Sequence, residues 1–287
     1  MSLRKLALFI YLFCTAAYAL TAGPRLLRPS TDTHFVFQAQ SWLEKRLDLG
    51  RAPPHQNDWA EVNYLTLKDG SQVAGQFLRG VPGSFRALNG QVRHLTDADI
   101  TGRDKKYYVS FPPFPALAML PAVAIFGART NDVVFTVLLA GLVPALLFLL
   151  LRRPPFSVPT DSALWLVGLF AFGSVYYFAS VLGQVWFTAH IVSLVLCGLY
   201  LLCALPPRRP ILAGLCVGAL YLTRPQMSSI GLLYLCGLFG FFSVAEDASP
   251  SRNRWKEALL YLVPCGLLFV VGGVNIFGGS GTVMGAM

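Results

Sequence analysis

The sequence predicts an all-α polytopic membrane protein: about seven transmembrane helices, a juxtamembrane helix, and one large outer loop holding short helices and a hairpin. Two observations carry this. The chain of 287 residues is 55% hydrophobic and only 13% charged, against about 25% charged in an ordinary soluble domain. Its charges are also segregated. Ser162 to Pro207 holds no Lys, Arg, Asp or Glu, Pro210 to Ala245 holds only Arg224, and Ala258 to Met287 holds none. A helix crosses the ~30 Å hydrocarbon layer with roughly 20 residues, so runs of this length read as spans. Backbone groups in lipid must bond within their own segment, which makes those spans helices.

In chain order, Arg4 and Lys5 open a basic start, and residues 6–22 form the first apolar run. Ala17-Tyr18-Ala19 fits a signal-peptidase pattern, yet a retained first transmembrane helix over 1–22 is the favoured reading; either places the next segment outside. Residues 23–111 are polar and rich in turn residues. Phe35 to Leu43 has apolar residues at helical spacing, and Asn89-Gly90 sits between alternating residues, a hairpin signal. A connection of this length is usually functional. Residues 112–127 read as a juxtamembrane or short membrane helix. The bundle of 128–274 follows, with apolar runs at roughly 131–151, 163–182, 185–205, 210–223, 225–245 and 258–274. Residues 275–287, rich in Gly, read as a disordered tail.

Basic residues in short loops set orientation. If 112–127 does not span, the inner side holds Arg4, Lys5, Arg152, Arg153, Arg208, Arg209, Arg252, Arg254 and Lys256, and the outer short loops hold only Arg129 and Arg224. If it spans, the later helices invert and the inner side keeps only Arg4, Lys5, Arg129 and Arg224. The first arrangement is preferred: N-terminus inside, large loop outside. The formal charge of +9 is thus an orientation signal rather than a nucleic-acid footprint. All six cysteines lie in apolar runs, away from the loop where an oxidising compartment would pair them, and none has zinc-site spacing.

This orientation gathers the polar interruptions on the outer side. The run Pro210–Thr223, 14 residues long, spans only about 21 Å, which leaves Arg224 below the outer surface. A buried Arg is tolerable where it faces an anion, and guanidinium geometry suits phosphate; the plain alternative is snorkelling to headgroups. Asp32, within Ser30-Thr31-Asp32-Thr33-His34, follows the first helix closely. It is placed either to deprotonate an acceptor hydroxyl or bind a divalent metal, or to cap the 35–43 helix. His34 and His190 are candidate ligand-binding groups or structural histidines. Gln184 and Trp186 sit at an outer turn; Trp186, like Tyr176 and Tyr177, fits an interfacial aromatic. Lys105, Lys106 and Tyr108 end the loop and read as binding groups or as attraction to anionic headgroups. No Walker loop, dinucleotide fingerprint, HExxH or GxSxG motif is present, so a transferase of this kind would take a membrane-delivered donor.

Four stretches together resemble the GT-C superfamily of polytopic glycosyltransferases, in its bacterial branches related to protein O-mannosyltransferases and lipid A aminoarabinose transferases. They are Asp32 to Ala39 with Leu43, Tyr107 to Pro115 with its Pro112-Pro113 pair, Gly183 to His190, and Ala213 to Pro225 with Gly214, Gly218 and Thr223-Arg224. The resemblance runs over most of residues 1–245 and implies that the chain is the N-terminal portion of a longer enzyme. It implies a polyprenyl-phosphate sugar as donor, Asp32 as general base on the acceptor side and Arg224 near the lipid phosphate, and a place in the bacterial inner membrane facing the cell envelope. The sequence departs from the family pattern in two places. Thr33 stands where many members have a second carboxylate, and no Lys immediately precedes Pro112.

Overall fold

A computed structural model describes residues 2–55, 57–78, 80–241 and 253–274. The chain divides into two units, a helical one from residues up to Thr33 and from Arg129 to Val270, and a mixed one that holds His34–Ala128.

In the helical unit, α1 (Leu3–Ala22) starts where the Ser2 hydroxyl accepts from the Lys5 N–H, and it ends at Gly23 with φ +53°. Its buried residues Ala7, Ile10, Cys14 and Tyr18 recur at helical spacing and pack against α4 (Asp132–Leu151). α4 is capped by Asn131, whose side chain accepts from the N–H groups of Val133 and Val134. α5 (Thr160–Gly173) stops at Ser174, whose hydroxyl instead caps α6 (Val175–Ser180). α7 (Gln184–Ala204) packs on α4 and on α8 (Pro210–Tyr221). α8 stops short because Pro225 cannot continue a helix and disfavours helical geometry at the residue before it, and Arg224 is extended. A 3-10 segment (Pro225–Gly231), α9 (Leu232–Leu238) and α10 (Arg254–Val274) complete the unit.

In the mixed unit, α2 (His34–Leu43) packs along α3 (Phe114–Phe126). Between them in sequence lie β1 (Trp59–Leu67), β2 (Gln72–Phe77), β3 (Ser84–Ala87), β4 (Val92–His94) and β5 (Ile100–Val109). They form one antiparallel sheet in the order β4-β3-β2-β1-β5. The Asn89-Gly90 turn joins β3 to β4. Leu65, Phe85, Ala87 and Leu95 fill one side of the sheet, Ala60 and Val62 the other.

The expectation of an all-α chain is therefore overturned: residues read as an outer loop with short helices and a single hairpin form a five-stranded sheet. The strand is hard to read because the strand-prone ends of β5 (Ile-Thr and Tyr-Tyr-Val) are separated by Gly-Arg-Asp-Lys-Lys, residue types mostly depleted in strands. Pairing with β1 along nearly its whole length shapes it instead. The expectation of about seven spans is overturned as well. Among the described residues three helices are long and apolar enough to cross a membrane: Leu3–Leu27, Asp132–Leu151 and Gln184–Ala204. The apolar run at 163–182 is broken at Ser174, and the run at 210–223 yields only α8, which ends at Tyr221 before the Arg224-Pro225 pair. Residues 112–127 yield α3, a helix of 13 residues, short of the roughly 20 a span needs. Residues 275–287 and Arg252 lie outside the described residues.

Candidate functional site

The site is built around a residue that opens α4. Asp132 is 3% exposed, so its carboxylate must find its partners within the protein. It finds three donors. The Ser30 N–H donates to Oδ1 at 2.8 Å, the Ser30 hydroxyl to Oδ2 at 2.5 Å, and the Gln184 N–H to Oδ2 at 3.0 Å. One carboxylate thus joins the segment after α1, the start of α4 and the start of α7. Its place at two helix N-termini, where unpaired N–H groups concentrate positive potential, suits a negative charge.

The turn into α7 explains why Gly183 stands there. Gly183 has φ +68°, and a Cβ on it would lie 2.8 Å from a Val133 methyl and 2.9 Å from the Val133 Cα. Gln184 also has a positive φ, +66°, a conformation that costs a side-chain-bearing residue of order 1–3 kcal/mol. Its N–H bond to Asp132 helps hold it there.

Asp32 joins the same network through Ser30. The Asp32 N–H donates to the Ser30 hydroxyl oxygen at 3.2 Å, and the Thr31 hydroxyl donates to Asp32 Oδ2 at 2.8 Å. Asp32 is buried, with 7% of its surface exposed.

Arg224 closes the constellation. It comes after α8, beyond Leu222 and Thr223, and its Nη2 donates at 3.2 Å to the carbonyl of Trp186, two residues into α7. Its Nε is covered by protein and finds no hydrogen-bond acceptor. His190 lies one helical turn beyond Trp186 on α7, exposed and within electrostatic reach of the Arg224 guanidinium. Asp32, Gln184, Trp186, His190 and Arg224 therefore belong to one end of the helical unit. Chemically, that end offers a buried carboxylate and a cation with an unused donor.

The remaining candidates belong to the mixed unit. His34 has no exposed surface: its ring stacks on Trp59 with centroids 3.9 Å apart, and its Nε2 pairs with the Asn57 carbonyl at 3.0 Å. The same ring also meets Phe111 edge-on, with centroids 5.2 Å apart. Lys105 and Lys106 lie on β5, paired with Glu61 at 2.9 Å and Asp48 at 3.6 Å. The Glu61 hydrogen bond holds the Lys105 ammonium above its usual range. Tyr108 shares a hydrogen bond of 3.0 Å with Tyr64, and burial pushes its hydroxyl above the ordinary tyrosine range. These three are bound into the sheet.

No family model, curated protein or solved structure matches this chain. Among the described residues no group of three or more His, Cys, Asp or Glu is placed to hold a metal ion.

Sequence reasoning missed Ser30 and Asp132. The signal was present, since Asn131-Asp132 before an apolar run marks a helix start. That pattern, however, announces a cap and not a partner 102 residues away in sequence.

Proposed function

We propose that this chain is a membrane glycosyltransferase. It moves a sugar from a polyprenyl-phosphate donor to an acceptor hydroxyl at the outer face of a bacterial inner membrane, in the manner of the GT-C enzymes it resembles. Three helices are long and apolar enough to cross a membrane, which suits a lipid-borne donor. The observation that carries the reading is the hydrogen-bonded path Asp32–Ser30–Asp132–Gln184, with Arg224 bound two residues further along α7. It puts a carboxylate and a guanidinium at the same end of the helical unit.

In the proposed reaction the Asp32 carboxylate takes the proton of the acceptor hydroxyl as its oxygen attacks the anomeric carbon. The bond from that carbon to the phosphate oxygen breaks, and the lipid phosphate leaves with the electron pair. Arg224 meets the charge that develops on the leaving phosphate through a guanidinium already anchored on the Trp186 carbonyl. His190 and Trp186 line the same end. The site needs no metal in this scheme.

Asp32→Asn keeps the size of the side chain and removes the base. In membranes holding wild-type amounts of protein it is expected to abolish transfer from a radiolabelled polyprenyl-phosphate sugar. Undiminished turnover by this variant would remove Asp32 from the mechanism.

A further inference from the structure

We infer that Asp132 is a positioning residue: its carboxylate holds Asp32 and the Arg224-binding turn of α7 in one fixed arrangement. The inference rests on the transferase reading for what is positioned, but the pin itself stands on geometry alone.

Three features of the helical unit make Asp132 more than a helix cap. First, capping is already done by its neighbour, since Asn131 accepts from the Val133 and Val134 N–H groups. The Asp132 carboxylate is left free to reach out of its own helix, and all of its hydrogen bonds go to Ser30 and Gln184. Second, each partner lies two residues from a group of the site. Ser30 precedes Asp32 and holds the Asp32 N–H through its hydroxyl; Gln184 precedes Trp186, whose carbonyl receives Arg224. Third, the turn it holds is conformationally costly. Gln184 has a positive φ, and such backbone at a residue with a side chain persists only where its surroundings determine it. The buried Oδ2, shared between Ser30 and Gln184, supplies that determination.

Losing the pin therefore has a definite signature. An Asn at 132 matches Asp in volume but offers one acceptor oxygen and an NH2 group. It cannot accept from the Ser30 and Gln184 N–H groups through opposite oxygens, so one of them loses its partner. The helices keep their packing, because the apolar seam between α1 and α4 lies elsewhere on them.

The experiment uses the full chain in lipid nanodiscs. Hydrogen exchange is followed in the wild type, Asp132→Asn and Ser30→Ala. The Asn variant is expected to exchange faster over residues 30–33 and 183–186, while the interiors of α4 and α7 stay protected. Unchanged protection in both segments overturns the inference, and so does a uniform loss over α1, α4 and α7, which would mean simple destabilisation. With a polyprenyl-phosphate sugar as donor, Asp132→Asn is expected to lower kcat by at least about tenfold while donor KM moves by less than about threefold. A wild-type kcat in that variant overturns the positioning role. Ser30→Ala carries little folding risk and is expected to lose roughly three- to tenfold, and the two changes together should cost less than the sum of each alone because both act on the Ser30–Asp132 contact. Additive losses would contradict a shared pin. Exchange needs no donor, so a wild-type chain inactive toward every polyprenyl-phosphate sugar counts against the transferase reading while protection alone decides the pin.

Discussion

Arg224 has one donor engaged and another without an acceptor. Nη2 is committed to the Trp186 carbonyl, and Nε is covered without an acceptor. A lysine would keep the charge but bring a single ammonium to both tasks. Arg224→Gln is expected to lower kcat/KM about 100-fold, the scale of removing one donor to a developing oxyanion, and Arg224→Lys to recover part of it; equal activity in all three would take the residue out of phosphate binding. A second residue-scale prediction concerns Asp48 in the mixed unit. Burial works to raise its carboxyl, but the hydrogen bond and charge of Arg46, the Gly50 N–H and Lys106 outweigh that and hold it below the usual carboxylate range. A carboxyl lowered on folding adds stability that is fully present above the unfolded value of about 3.9 and is lost as pH falls through the folded value. Asp48→Asn is therefore expected to flatten part of the acid limb of a melting-temperature profile below about pH 4. Hydrogen bonds from Ser71 and Thr96 hold Asp69 and Asp99 low in the same way, so some of the limb should remain; an acid limb identical to wild type would show that the Arg46 pair contributes nothing. At this scale the sequence displays each polar interruption of an apolar run separately. Asp32, Gln184, Trp186 and Arg224 could be picked out, but Asp132, which links them, resembles any acidic first-turn residue until Ser30 and Gln184 are seen against it.

The helices that carry these residues depend on close approach. A Cβ on Gly214 of α8 would stand 2.1 Å from the Tyr261 carbonyl oxygen of α10, and one on Gly218 would stand 2.6 Å from Leu268 side-chain atoms. These small residues let the two backbones meet, as small-xxx-small seams do in membrane helices. Gly214→Ala meets backbone and must push α10 away, at about 1–3 kcal/mol; Gly218→Ala meets a side chain that can turn, and should cost less. Melting in detergent would rank the two, and the opposite order would contradict this packing. Element existence was readable wherever an apolar run continued without interruption, as at α1, α4 and α7. It was not readable where one residue ends a helix early, as Ser174 does for α5 and Arg224-Pro225 for α8. It was readable only in part in the sheet: the Asn89-Gly90 hairpin carries a local signal, whereas the pairing of β1 with β5 joins segments far apart in the chain.

Across the helical unit, basic residues separate by end. Arg4, Lys5, Arg152, Arg153, Arg208, Arg209, Arg254 and Lys256 lie toward one end, and Arg25, Arg28, Arg129 and Arg224 share the other with Asp32. Under the proposed reading, the positive-inside preference assigns the first end to the cytoplasm and the candidate site to the outside. Cysteines introduced at the exposed positions Ser71, in the β1–β2 turn, and Ser157, beside Arg152 and Arg153, test this. An impermeant maleimide on intact cells is expected to label Ser71→Cys and to reach Ser157→Cys only after permeabilisation; the reverse pattern would invert the orientation and place the site on the wrong side for an envelope acceptor. The central claim, that this end of the unit transfers a sugar from lipid phosphate with Asp32 as base, is tested most directly by a single-turnover measurement in proteoliposomes loaded with polyprenyl-phosphate sugar and an envelope acceptor extract. The expected result is release of polyprenyl phosphate by the wild type and none by Asp32→Asn, with donor still bound in both. Equal release by the two proteins would contradict it.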